Sequence, residues 1–171
     1  MLQKTTIDFH PPVSTDGYAL HRLVAACPPL DPNSVYCNLL QCSHFNETAI
    51  CAKEQGNLVG FISGYLIPDR PDTLFIWQVA VAEPARGQGL AGRMLLELLK
   101  RPACRNIQAL ETTITPTNKA SQAVFSKLAA ALHAPVKVSA GFDRDTHFEG
   151  IHESEELWHI GPITKQQSEE K

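Results

Sequence analysis

The residues best suited to chemistry are an arginine and three glycines between an apolar run and an apolar helical pattern, in "VAVAEPARGQGLAGRMLLELL". Glycines let the main chain approach a ligand closely and adopt conformations that larger residues avoid. The free N–H groups at the start of a helix attract an anion, and Arg86 adds a charged hydrogen-bond donor. We therefore predict an anion-binding loop, although an ordinary tight strand-to-helix connection is the alternative. The predicted main-chain donors are Gln88, Gly89, Leu90, Ala91 and Gly92.

A second group of chemically capable residues consists of carboxylates and one histidine. Carboxylates act as general bases, and they bind amines. Each of these acids, taken alone, fits a solvated surface position. Only their clustering indicates a functional site. The candidates are Asp31, Glu111, Glu153, Glu155 and Glu156, with His152 beside the last three.

The elements that must position these residues follow from apolar spacing, capping residues and turn signals. We expect a helix capped by Ser14 with Leu20, Leu23 and Val24 on its apolar face, and a second helix capped by Asn33 or Ser34 with Val35, Leu39 and Leu40 inward. A hairpin is expected across Gln55–Asn57, and a loop between Pro68 and Pro71. Strands are predicted at 5–9, 48–53, 58–66, 74–81, 107–114, 135–138 and 155–160, with further helices at 89–100 and 117–132.

This order of elements predicts an α+β fold with a mixed sheet. The run from Leu74 to Val81 is almost continuously apolar, as in a strand buried on both faces. Residues 1–164 are expected to form one domain, and the polar segment 165–171 a flexible tail.

Composition narrows the possible partners and compartments. The 171 residues include 15 Lys and Arg against 18 Asp and Glu, a net charge of −3, which argues against nucleic acid. No apolar stretch reaches the roughly 20 residues that span a bilayer, and the opening residues lack the apolar core of a signal peptide. We therefore expect no membrane partner and a cytoplasmic protein. The five cysteines lack the spacing of a metal site, and most of them are predicted to be small buried apolar residues.

The loop and one asparagine carry a family resemblance. Arg86-Gly87-Gln88-Gly89-Leu90-Ala91 resembles the Arg/Gln-x-x-Gly-x-Gly/Ala motif of the acetyl-CoA-dependent N-acetyltransferase (GNAT) superfamily, and Asn118 matches its later asparagine. The resemblance implies the GNAT fold, a mostly antiparallel sheet flanked by helices and splayed at the fourth and fifth strands. It implies acetyl-CoA as co-substrate, with its diphosphate at the loop. The implied cofactor contacts are Val79, Ala80, Val81, Arg86, Gly87, Gln88, Gly89, Leu90, Ala91, Gly92 and Asn118.

Four longer stretches carry a narrower resemblance. They are similar to the members of the superfamily that acetylate the side-chain amine of the diamino acid L-2,4-diaminobutyrate on the route to the compatible solute ectoine. This resemblance implies a small diamino acid substrate, no metal, and a homodimer. The stretches are "LDPNSVYCNLL", "IWQVAVAEPARGQGLA", "ALETTITPTNKAS" and "GIHESEELWHIGPI".

The implied reaction sets a chemical requirement. An aliphatic amine has a pKa of about 10.4, so its neutral form costs roughly 4–5 kcal/mol at neutral pH. Releasing coenzyme A as an unprotonated thiolate costs only roughly 2 kcal/mol at neutral pH. A general base for the amine therefore lowers the barrier more than a general acid for the thiolate does. We predict Glu155 as the base, directly or through water, with Glu153 beside it on one strand face. The predicted substrate contacts are Asp31, Tyr36, Trp77, Glu111, Thr113 and His152.

The chain differs from many members of the superfamily at the position of the general acid. Many members have a tyrosine where this chain has Phe125. Tyr18, Tyr36, Tyr65 or water is left to protonate the thiolate, or no acid is used. Acetylation of another small amine, and a non-catalytic acetyl-CoA sensor, are the alternative functions.

Overall fold

The computed structural model describes residues 6–164, and within them seven strands form one sheet in the order β1-β2-β3-β4-β5-β7-β6. The strands are β1 Ile7–His10, β2 Ile50–Glu54, β3 Asn57–Ile67, β4 Arg70–Val81, β5 Ala109–Ile114, β6 Val136–Ala140 and β7 Glu156–Ile160. The helices are α1 Gly17–Ala25, α2 Val35–Ser43, α3 Leu90–Leu99 and α4 Lys119–Ala131. The predicted α+β fold is confirmed. The predicted tail at 165–171, and Thr5 of the predicted first strand, lie outside the described residues.

Helix starts follow local side-chain hydrogen bonds. Ser34 caps α2 by accepting from the N–H of Cys37 at 3.1 Å. The prediction that Ser14 caps α1 was wrong. A 3₁₀ turn over Ser14–Asp16 precedes the helix, and the Asp16 carboxylate accepts from the N–H of Val13 at 2.9 Å.

Helix α2 buries polar residues, which corrects the predicted apolar face. Its buried residues are Asn38, Gln41 and Cys42, whereas Leu39 is exposed and lies over Gly17. Asn38 Nδ2 donates to Gln41 Oε1 at 2.9 Å. The two amides therefore satisfy part of each other's hydrogen-bonding needs, which lowers the cost of burying them.

Two tight turns connect β2, β3 and β4. Gln55 and Gly56 both have positive φ (50° and 81°), the conformation of a two-residue hairpin turn, so the predicted hairpin is confirmed. The predicted loop between Pro68 and Pro71 is shorter than expected, because β4 begins at Arg70 and includes Pro71. Proline at the start of a strand removes only one donor from the sheet.

The sheet changes direction at its middle. β4 pairs with β5 in parallel, but only from Thr73–Ala109 to Phe75–Glu111, although β4 continues to Val81. β5 pairs antiparallel with β7, and β7 antiparallel with β6. This short parallel register is what the resemblance implied for the fourth and fifth strands.

The chain divides into two compact units, and β4 contributes to both. The first comprises the described residues up to Leu66 together with Ile76–Arg105, and the second Ile67–Phe75 together with the described residues from Asn106 onward. The first unit has an apolar core around α1, with Leu20, Leu23 and Val24 facing inward as predicted. No helix within residues 6–164 has both the length and the hydropathy that crossing a bilayer requires.

Candidate active site

The end of β4 presents one face away from the core of the first unit. Ile76 and Ala80 are buried, whereas Trp77 is 41% exposed. Val79 and Val81, which share the face of Trp77, are half-buried. The prediction of a strand buried on both faces is therefore wrong for this half of β4. The cause is ordinary strand alternation, since residues 76 and 80 point into the core and 77, 79 and 81 point the other way.

The loop after β4 has the backbone that its glycines predict. Gly87 and Gly89 have φ of 74° and 67°, in the left-handed region that favours glycine. Gly89 is the N-cap of α3, and no side chain caps that helix. The first N–H groups of α3 are thus left for another acceptor.

The space around this loop is open among the described residues. A Cβ built on Gly87, Gly89 or Gly92 would meet no heavy atom within 4 Å. Gly92 lies in the first turn of α3 and has no positive φ, so neither packing nor backbone conformation explains a glycine there. Close approach of a ligand to the main chain does explain it.

Arg86 and Cys27 both bind one carbonyl at the end of β4. Arg86 Nε donates to the Val81 oxygen at 2.9 Å, and Cys27 Sγ donates to it at 3.4 Å. A pantetheine hydrogen bond to this carbonyl would compete with both donors. The contact also fixes the stem of the Arg86 side chain, which is exposed beside the loop.

Gln78 links β4 to Asp31, one of the predicted substrate residues of the first unit. Gln78 Nε2 donates to the Asp31 carbonyl at 3.0 Å, and Asn33 Nδ2 donates to Gln78 Oε1 at 2.7 Å. Trp77 meets the ring of Tyr65 edge-on, with 6.1 Å between centroids. Tyr36, near the start of α2, is 70% exposed.

Glu111 is held by two residues of the second unit, Arg70 and His159, that the sequence did not indicate. Its carboxylate accepts from Arg70 at 2.8 and 3.0 Å, and lies 2.9 Å from His159 Nδ1. The hydrogen bonds from Arg70 hold the pKa of Glu111 below its ordinary value, which burial opposes and His159 supports. Its hydrogen-bond partners are therefore Arg70 and His159.

The segment between β6 and β7 carries the predicted base. The expectation that one strand runs through Glu153 and Glu155 was wrong, because β7 begins at Glu156. Glu153 Oε2 accepts from Thr117 Oγ1 at 2.9 Å. His152 Nδ1 donates to the Glu153 carbonyl at 2.7 Å, since a carbonyl oxygen can only accept.

Main-chain hydrogen bonds close this segment at its base. The Glu155 N–H donates to the Phe142 oxygen at 2.8 Å, and the Gly141 N–H to the Glu155 oxygen at 3.1 Å. A Cβ on Gly141 would lie 2.6 Å from that same oxygen of Glu155, so only glycine fits there. Glu155 thus stands on a fixed backbone, and its side chain is half-buried.

Helix α4 holds the two remaining motif positions. Asn118 Oδ1 accepts from the Ser121 N–H at 3.0 Å and so caps the helix. This hydrogen bond uses the side-chain oxygen of Asn118. The side-chain N–H₂ of Asn118 is the group that remains to bind a ligand. Phe125 is 3% exposed, so a buried ring without a hydroxyl stands where many superfamily members have tyrosine.

The structure gathers the predicted residues into two groups, each within one unit. The first group comprises Asp31, Tyr36, Trp77, Val79, Ala80, Val81 and the loop 86–92; the second comprises Glu111, Thr113, Asn118, His152, Glu153 and Glu155. Within residues 6–164, no cluster of three or more His, Cys, Asp or Glu side chains could hold a metal ion.

Comparison with known proteins agrees with this geometry. The model of the Acetyltransferase (GNAT) family matches residues 18–130. The chain is 57% identical over 152 residues to L-2,4-diaminobutyric acid acetyltransferase of Methylotuvimicrobium alcaliphilum, covering 89% of this chain and 88% of that protein. It is 45% identical over 165 residues to the protein of the same name from Chromohalobacter salexigens, covering 96% and 85%.

A solved structure is similar over nearly the whole chain. It is diaminobutyrate acetyltransferase EctA from Paenibacillus lautus in complex with its substrate L-2,4-diaminobutyric acid and coenzyme A. The TM-score is 0.90 at 38% identity, covering 95% of this chain and 98% of that one. The ribosomal-protein-S18-alanine N-acetyltransferase of Escherichia coli, at 16% identity and a TM-score of 0.67, shares the fold.

Proposed function

The chain belongs to the acetyltransferase (GNAT) family, and from that premise we propose that it transfers the acetyl group of acetyl-CoA to the N4 side-chain amine of L-2,4-diaminobutyrate. It is an acetyl-CoA-dependent N-acetyltransferase. The observation that carries the substrate assignment is the similarity to a structure that holds diaminobutyrate and coenzyme A, over almost the full length of both chains.

Acetyl-CoA supplies the activated thioester, and the loop after β4 holds it. The N–H groups of Gln88, Gly89, Leu90, Ala91 and Gly92 bind the diphosphate at the positive end of the α3 dipole. The Arg86 guanidinium adds charge, and the main chain of Val79, Ala80 and Val81 aligns the pantetheine arm. The uncapped helix start and the open space at the three glycines support this arrangement.

Carboxylates prepare the amine. We assign Glu155 as the base that accepts the proton of the N4 ammonium, directly or through water, and Glu153 as its neighbour. Deprotonating that ammonium costs roughly 4–5 kcal/mol at neutral pH. A base held on a fixed backbone beside the amine lowers the activation barrier by accepting this proton. Asp31 binds the other amino group of the substrate. Trp77, Tyr36, Thr113 and His152 are assigned as further substrate contacts.

Glu111 is less suited to binding an amine than the other predicted acids. Its charge is balanced by the Arg70 guanidinium, and His159 also lies at hydrogen-bond distance. A carboxylate that already has a cationic partner attracts a second cation only weakly. Glu111 therefore supports the strands that carry it, and the acids assigned to the amino groups of the substrate are Asp31, Glu153 and Glu155.

The proposal needs no protein acid for the thiolate. A thiol of pKa about 8.5 costs only roughly 2 kcal/mol to leave ionised at neutral pH. Phe125 offers no proton. Water suffices for this step.

The test is incubation of the protein with acetyl-CoA and L-2,4-diaminobutyrate, followed by mass spectrometry that locates the acetyl group. We expect acetylation at N4. Glu155→Gln should lower kcat by about 100-fold or more without changing coenzyme A affinity, while the exposed control Glu47→Gln stays at wild-type rate. Acetylation of another amine in preference, or binding of acetyl-CoA without turnover on any amine, would overturn the assignment.

We also propose that the protein acts in the cytoplasm as a homodimer, with residues 1–164 forming one acetyltransferase domain. All five cysteines are free, as in proteins of reducing compartments.

The homodimer is proposed from exposed apolar side chains that suit an interface. They are Val138 on edge strand β6, and Phe142 and Ile151 after it. Light scattering after size exclusion should give twice the chain mass, and Ile151→Asp should reduce it to one.

A further inference from the structure

The segment 26–34, which joins α1 to α2, is tethered to β4 at two points. Cys27 Sγ donates to the Val81 carbonyl at 3.4 Å. Further along, the Gln78 side chain bonds to both Asp31 and Asn33. The segment is therefore held along the same half of β4 that carries the proposed acyl-transfer residues.

Gln78 uses every polar group of its side chain for this tether. Its Nε2 donates to the Asp31 carbonyl at 3.0 Å, and its Oε1 accepts from Asn33 Nδ2 at 2.7 Å. The Asp31 carbonyl can only accept, so the amide has one possible orientation. The Gln78 main chain is fixed as well, because its N–H donates to Ser63 Oγ at 3.2 Å.

The tether leaves the Asp31 carboxylate exposed and without a cation. Gln78 holds the main chain of Asp31, not its carboxylate. Among residues 6–164, no ion pair to that carboxylate is found. A carboxylate placed on a fixed main chain, with no cation of its own, is prepared to bind an ammonium group.

We propose that Gln78 is a positioning residue for substrate recognition: it fixes the main chain of Asp31, so that the Asp31 carboxylate meets the second amino group of the diamino substrate. This inference rests on the proposed function, in which Asp31 binds that group. Gln78 itself does not touch the substrate. The Gln78 amide is required because it carries both a donor group and an acceptor group. An ionised glutamate of the same length offers only acceptors, and methionine has no N–H donor.

The experiment compares Gln78→Met, Asp31→Asn and the double variant by steady-state kinetics, with Gln108→Met, an exposed glutamine outside the site, as the matched control. Gln78→Met should raise KM for diaminobutyrate about tenfold, while kcat and KM for acetyl-CoA stay within about twofold. In the Asp31→Asn background, Gln78→Met should have no further effect, because both act through one contact. A merely structural role would instead change all kinetic constants together.

Asn33→Ala provides a milder variant that removes only the bond to Gln78 Oε1, and we expect its KM for diaminobutyrate to rise about threefold. Unchanged KM in Gln78→Met, or multiplying effects in the double variant, would overturn the inference while leaving the proposed function intact. Unchanged KM in Asp31→Asn would remove the assignment of Asp31 itself. Absence of diaminobutyrate acetylation by the wild-type protein would remove the proposed function and the inference together.

Discussion

Arg70 and Glu111 form a bidentate ion pair, with Nη1 2.8 Å from Oε1 and Nη2 3.0 Å from Oε2. The pair is asymmetric, because the Glu111 side chain is 5% exposed and that of Arg70 is 48% exposed. A buried carboxylate depends on its partners more than a half-exposed guanidinium does. Glu111 also terminates the parallel ladder between β4 and β5, so this dependence bears on the strands that carry the site.

Arg70→Met should therefore destabilise the protein. It removes the guanidinium from the buried Glu111 carboxylate, and we expect a loss of about 2 kcal/mol in the free energy of unfolding. The matched control is Lys100→Met, which breaks the exposed Lys100–Glu97 pair and should cost under about 0.5 kcal/mol. Urea unfolding of both variants measures the difference, and equal losses would contradict a special role for the Arg70 pair.

Acid stability should depend on Glu111. Its pKa is lowered from its ordinary value of 4.5, first by the Arg70 hydrogen bonds. A carboxyl whose pKa is lower in the folded state adds stability above its unfolded pKa, and this stability is lost as pH falls through the folded pKa. Glu111→Gln should thus be less stable than wild type near neutral pH, with the gap closing as the pH falls below about 4.

Thermal unfolding of wild type and Glu111→Gln across that pH range measures the gap. Asp16 and Asp143, whose pKa values are also lowered, are present in both proteins, so their contributions cancel in the difference. Parallel curves at all pH values would show that Glu111 has no pH-linked role.

Gly92→Ala should separate folding from cofactor binding. Alanine is the better helix former, and a Cβ at Gly92 meets no heavy atom within 4 Å, so the ligand-free protein should gain about 0.5 kcal/mol. Coenzyme A affinity, measured by calorimetry, should fall at least about fivefold, because the methyl group occupies the approach to the α3 main chain. Ser126→Ala on α4 is the control, with a similar gain in helix propensity and unchanged affinity. Unchanged affinity in Gly92→Ala would place the diphosphate elsewhere.

The buried thiols should be chemically inert in the folded protein. Burial raises the pKa of Cys42 and that of Cys51 to about 12, so little reactive thiolate forms near pH 8. Iodoacetamide should label the half-buried Cys37 first, and the other four cysteines only after denaturation. Mass spectrometry of peptides from briefly treated native protein gives the order, and early labelling of Cys42 or Cys51 would contradict their burial.

Local signals were enough to predict most of the elements and the strand-loop-helix that follows β4. The hairpin at Gln55–Gly56, the cap at Ser34 and the strand-loop-helix around Gly89 each depend on residues close in sequence. The glycines alone are less specific, because Gly87, Gly89 and Gly92 also fit the G-x-G-x-x-G spacing of dinucleotide-binding turns. The antiparallel β2–β3 and β5–β7 pairs distinguish this sheet from the parallel sheet of that fold.

Features that depend on register and long-range contact could not be predicted. His159 reaches Glu111 because the two stand opposite each other in the β5–β7 register, and Arg70 is 41 residues away in sequence. The inward turn of Asn38 and Gln41 depends on their pairing with each other, which overrides the apolar pattern of α2. Gln78 lay between two predicted site residues, but nothing local indicates that its amide spans to Asp31 and Asn33.

The neck of the segment between β6 and β7, which is the pair of main-chain hydrogen bonds that closes the segment at its base, has an evolutionary consequence. It is formed by main-chain atoms of Gly141, Phe142 and Glu155, so these two hydrogen bonds do not depend on the side chains enclosed between them. A relative with a different amine substrate can change enclosed side chains and still keep both of these main-chain hydrogen bonds. Glycine at 141 is the position that such divergence must leave untouched, because any larger residue would force the neck apart.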